Sequence, residues 1–151
     1  MLIILILGWT GQTEGIIKGE LKLPHPVIEK VFFQEKDYYR IKVEGLSHTA
    51  SPGSPMLPVK SATFVVPTDA EIDSVLISPV VIETIALAGP VYPVQPAIPF
   101  ILDSRGGDQV VPPDTLIYQS KSLWPYGWGG NRKVGLLGGY RLVMIEVHPC
   151  R

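Results

Sequence analysis

Near the C-terminal end of the chain, "HPC" sets His148 and Cys150 either side of Pro149. A thiol and an imidazole are the nucleophile and base of cysteine-dependent acyl transfer. That chemistry needs the two side chains within hydrogen-bond reach and usually a third group to orient the base. No third group stands immediately beside them to orient the base, so the sequence argues against a working pair. His25 sits between two prolines and His48 lies in a Ser/Thr-rich loop, and neither has a nucleophile placed beside it. No G-x-S-x-G elbow, phosphate-cradling glycine loop or H-E-x-x-H motif occurs. The carboxylates fall at turns and exposed strand positions, without the spacing that paired acid–base work requires. The single cysteine can form neither an internal disulfide nor a cysteine-rich metal site. The chain therefore reads as non-catalytic, with no metal and no cofactor.

Aromatic residues offer a different chemistry. Trp124, Tyr126 and Trp128 stand at alternate positions in "WPYGW". They could form a stacking platform for a sugar or a peptide, or pack at one end of the fold.

The elements that must position these groups follow from composition and period. A chain of 151 residues has room for one domain with a real core. With 46% apolar and 18% charged residues it has the balance of a folded protein. A formal charge of -1 gives no electrostatic case for nucleic acid or an anionic membrane surface. The 15 prolines and 15 glycines interrupt helices and favour short strands joined by turns.

Alternation predicts two strands in "PVIEKVFFQEKDYYRIKVEG", with Gln34 to Asp37 as the turn. "SATFVVP" and "EIDSVLISPVVIETIAL" supply two or three more, with Pro79 marking an edge, a bulge or a crossing point. Prolines 90, 93, 96 and 99 recur at the polyproline period, so that tract is expected to be extended and stiff. The glycines of "GWGGN" and "LLGG" read as turns. Tyr140 to Val147 is apolar on nearly both faces and reads as a central strand, and no helix is predicted. These elements add up to an all-β fold, an antiparallel, jelly-roll-like β-sandwich.

The first residues carry two meanings. "LIILILG" is too short to cross a bilayer, which takes about 20 apolar residues. It has the length of a secretory h-region, without a basic n-region or an A-x-A-like cleavage site. A buried first strand is the alternative. The expected organisation is a partial signal peptide over 1–15 and one domain over 16–151, secreted and with no stable membrane insertion.

Four motifs in order add a resemblance. They are "GSPMLPVKSATFVVP" (Gly53 to Pro67), "PVYPVQPAIPF" (Pro90 to Phe100), "YQSKSLWP" (Tyr118 to Pro125) and "GLLGGYRLVMIEVHP" (Gly135 to Pro149). Together the chain resembles the N-terminal propeptide of gingipain-type secreted cysteine peptidases, over roughly Val27 to Pro149. The resemblance implies a β-sandwich that assists folding of a downstream peptidase domain and holds it latent in cis. It implies that the catalytic Cys and His belong to that domain, and that a surface loop here enters its cleft.

The matching loop contains "LDSRGGD", where Arg105 would suit a carboxylate-lined specificity pocket through charge-assisted, bidentate hydrogen bonds. Gly106 and Gly107 would let the backbone turn into the cleft. Lys121 and Arg132 are the further candidates for that role. The family's closing strand usually runs through its proline into further strands, so an end at "HPCR" is expected to mark a truncation. The alternative to a propeptide is a stand-alone secreted adhesion or carbohydrate-binding module using Trp124, Tyr126 and Trp128.

Overall fold

The computed structural model describes residues 1–11, 14–97 and 110–151. The described chain is all-β and antiparallel in each of its strand ladders. Its strands are β1 (Leu2–Thr10), β2 (Gly15–Lys22), β3 (Val27–Phe33), β4 (Lys36–Lys42), β5 (Ser47–His48), β6 (Pro58–Val66), β7 (Glu71–Pro79), β8 (Gly129–Leu137) and β9 (Tyr140–Val147). A single helical turn, α1 (Thr115–Tyr118), precedes β8. Although no helix is predicted, Asp114 starts this turn by accepting the Leu116 N–H at 2.9 Å, the ordinary N-cap arrangement.

Three ladders result. One sheet has the order β2-β1-β7, a second β5-β6-β9-β8, and β3 and β4 form a separate hairpin. The first two share one core: Ile3, Leu5 and Leu7 from β1 meet Phe64 and Val66 from β6 and Val143, Ile145 and Val147 from β9. The central strand read in Tyr140 to Val147 is realised here. Val143 and Val147 are fully buried, while β9 pairs with β6 on one side and β8 on the other.

The N-terminal run is the middle strand of its sheet. Ile3, Leu5 and Leu7 are at most 4% exposed, and each such side chain contributes roughly 1.5–3 kcal/mol by leaving water. In this structure "LIILILG" is thus drawn as the strand alternative to an h-region.

One open expectation is decided and two are corrected. Residues 81–87 form no strand, because β7 ends at Pro79 and its partner β1 begins at Leu2, whose carbonyl takes the last bond, from Val80 N at 2.8 Å. Gly129 and Gly130 lie inside β8, not in a turn. A Cβ at Gly129 would stand 2.8 Å from the Glu146 carbonyl of β9 as well as against Ile77 Cδ1 of β7, so the backbone contact calls for glycine there. The turn at Gln34 to Asp37 is shorter than the sequence suggests, with only Gln34 and Glu35 between β3 and β4.

Candidate functional site

The proline-rich tracts bind one another. Proline has no N–H, so the cross-links fall on the residues between prolines. Gly53 N donates to Val94 O, Val94 N to Ser54 O, and Met56 N to Tyr92 O, each at 2.8 Å. Gly53 also accepts from Asp114 N at 2.9 Å. Its φ of +83° and the Pro112 carbonyl, 3.1 Å from where a Cβ would sit, explain why glycine stands there. Ser54, Pro58 and Pro93 are fully buried in this clasp. The tract from Ser51 is therefore a packed entry to β6, not a linker.

Two side chains close the clasp. The Gln95 amide donates to Val111 O at 2.9 Å and accepts from Val111 N at 3.0 Å, a side chain acting as a strand partner. Tyr118 Oη donates to Val91 O at 2.7 Å. Burial, with a smaller contribution from Tyr38, pushes the Tyr118 phenol well above its ordinary value, so it stays a donor at neutral pH. Residues from three of the four quoted motifs thus meet at one place. The sequence does not announce Gln95, which lies among prolines without a visible partner.

Beside the clasp, a cleft of about 690 Å³ separates β4 from β5. Val27, Ile41, Val43, Leu46 and Met56 give it an apolar lining, and Arg40 and His48 stand among them. Arg40 lies with its guanidinium carbon 4.9 Å from the Tyr92 ring centroid, and Tyr92 packs edge-on against Phe33 and Tyr38. Alternation predicts a wet face for Arg40, but it shares that face with the buried Tyr38, and Tyr92, arriving from the proline tract, leaves it half-buried.

Of the residues singled out from sequence, those described are not brought together. Arg105, Gly106 and Gly107 lie outside the described residues. Lys121 is exposed in the loop after α1. Arg132 is exposed on β8, beside a smaller hollow of about 340 Å³ lined by Val75, Ile77 and Gly129. Trp124 and Trp128 are half-buried and Tyr126 is 79% exposed. The Arg151 guanidinium already covers one face of Trp128, 4.5 Å from its centroid. Only Tyr126 of the three presents an open ring.

His148 and Cys150 do not assemble a nucleophile. His148 Nδ1 is buried without a hydrogen-bond partner, and Nε2 faces Glu146 Oε1 at 4.0 Å. Burial pushes the Cys150 thiol up, away from the thiolate that attack requires. Among the described residues no three His, Cys, Asp or Glu side chains converge to hold a metal ion, and no helix is long and apolar enough to cross a membrane. The described residues define an all-β fold whose larger cleft has a mixed apolar and charged lining. Comparison with known families, curated proteins and solved structures returns no significant match.

Proposed function

We propose that the chain is the non-catalytic propeptide of a secreted cysteine peptidase, acting in cis as folding assistant and latency inhibitor. The observation that carries this reading is the clasp. Gly53, Gln95, Val111 and Asp114 tie together the two flanks of the segment that the resemblance assigns to the peptidase cleft. A segment that blocks a cleft gains affinity when its ends are held, because less conformational freedom is lost on docking. Arg105 is the proposed pocket residue, opposite a carboxylate in an Arg-specific enzyme.

The test is inhibition of an Arg-specific gingipain-type peptidase by the isolated chain. Micromolar or tighter inhibition is expected, and Arg105→Ala is expected to weaken it at least tenfold, about 1.4 kcal/mol. Equal inhibition by the variant removes Arg105 from the role. No inhibition by the wild-type chain removes the latency reading.

A further inference from the structure

The cleft beside β4 is lined by Arg40, Ile41 and Lys42 of that strand and by Val27 and Glu29 of β3. Arg40 and Lys42 lie on one face of β4 and Ile41 on the other, and Val43 follows the strand. The far wall is β5. No ladder joins β4 to β5: the hairpin ends on one side of the cleft and the four-stranded sheet begins on the other.

The edge of β4 has an unfilled position. Tyr39 N donates to Pro90 O, and Tyr39 O accepts from Tyr92 N, both at 2.8 Å. Backbone groups two residues apart point the same way along a strand, so the N–H and C=O of Ile41 turn away from β3 on this same side. A continued ladder would give Ile41 N–H the carbonyl of Tyr92. Met56 N occupies that carbonyl instead, at 2.8 Å. The ladder therefore stops one step short, and Ile41 is left facing the cleft.

The wall also holds an unmatched cation. Glu29 is bonded to Lys42 at 2.8 Å, and Glu44 is exposed. Arg40 Nε is buried with no hydrogen-bond partner. Among the described residues Arg40 makes no ion pair, and the guanidinium fork matches a carboxylate.

We propose that this cleft binds an extended apolar segment of a partner protein as an added strand on β4, with an Asp or Glu side chain of that segment held by Arg40. Main-chain bonds to Ile41 would supply affinity, and the Arg40 contact and the apolar lining would supply selectivity. The proposal goes beyond the latency reading and does not rest on it.

The experiment passes pools of end-capped, seven-residue peptides over the immobilised full chain. The peptides alternate apolar and polar positions around a central Asp in one pool and Asn in the other. The Asp pool is expected to be retained about tenfold more strongly than the Asn pool. Methylating alternate backbone nitrogens of the Asp pool is expected to abolish retention. Arg40→Gln, checked for an unchanged circular dichroism spectrum, is expected to erase the preference for Asp. Equal retention of the two pools, or retention of neither, overturns the proposal without recourse to the variant.

Discussion

At the scale of single residues, Tyr118 makes the clasp sensitive to alkali. Its hydroxyl donates to Val91 O at 2.7 Å, and burial holds its folded pKa above the ordinary value of about 10. A folded pKa raised above the unfolded one gives stability that is complete below the unfolded pKa and is lost as pH rises through the folded one. The fold is therefore expected to weaken above about pH 10 as the unfolded chain loses this proton first. Tyr118→Phe removes the hydrogen bond and costs about 1 kcal/mol at neutral pH. It also removes this proton from the linkage, so its urea midpoint is expected to fall less between about pH 8 and about pH 11 than that of the wild type. Parallel slopes in the two proteins would show that Tyr118 carries none of the alkaline loss.

At the scale of elements, the β3–β4 hairpin is closed by two residues in a conformation that suits neither. Gln34 and Glu35 have φ of 48° and 61°, the left-handed pair that a two-residue hairpin turn requires. Side chains with a Cβ are strained there by roughly 1–2 kcal/mol each, and glycine is not. Glu35→Gly is expected to stabilise the chain by about 0.5–1 kcal/mol, the relief exceeding the added freedom of the unfolded chain. Urea unfolding decides it: a lower midpoint would mean that the turn does not persist in solution. This hairpin was legible because Tyr39, Ile41 and Val43 alternate with Arg40, Lys42 and Glu44, and β9 was legible for the same kind of reason. β1 was not, since Leu and Ile on both faces erase the period and leave a run indistinguishable from an h-region. Residues 81–87 have strand-forming composition, and only the place where β1 begins shows that they lack a partner. Gly129 looked like a turn because the approach of Ile77 from β7 is a long-range contact, invisible to local propensity. The cleft was hidden likewise: its two walls come from β4 and from β5 with Met56, and what leaves Ile41 unpaired is a bond between Met56 and Tyr92.

At the scale of the whole molecule, the question is which residues belong to the folding unit. Among the described residues β2 and β7 have β1 as their one strand partner, so this three-stranded sheet depends on residues 2–10. The same strand covers the inner faces of β6 and β9, where Phe64, Val66, Val143, Ile145 and Val147 are at most 9% exposed. Ile3, Leu5 and Leu7 together contribute on the order of 5–9 kcal/mol by burial. That is comparable with the whole stability of an ordinary domain, about 5–15 kcal/mol. A chain starting at residue 16 would also leave unpaired the β1-facing backbone groups of two strands and expose a sheet interior. It is expected to lose cooperative urea unfolding, to bind a hydrophobic dye and to aggregate, while the chain retaining residues 1–15 unfolds in a single transition. A domain whose boundary falls at residue 16, with a removable targeting segment before it, makes the opposite prediction: both chains unfold cooperatively at the same midpoint. The comparison separates the two roles of one apolar run, because a segment that supplies the centre of a sheet cannot be cut away without taking the sheet with it.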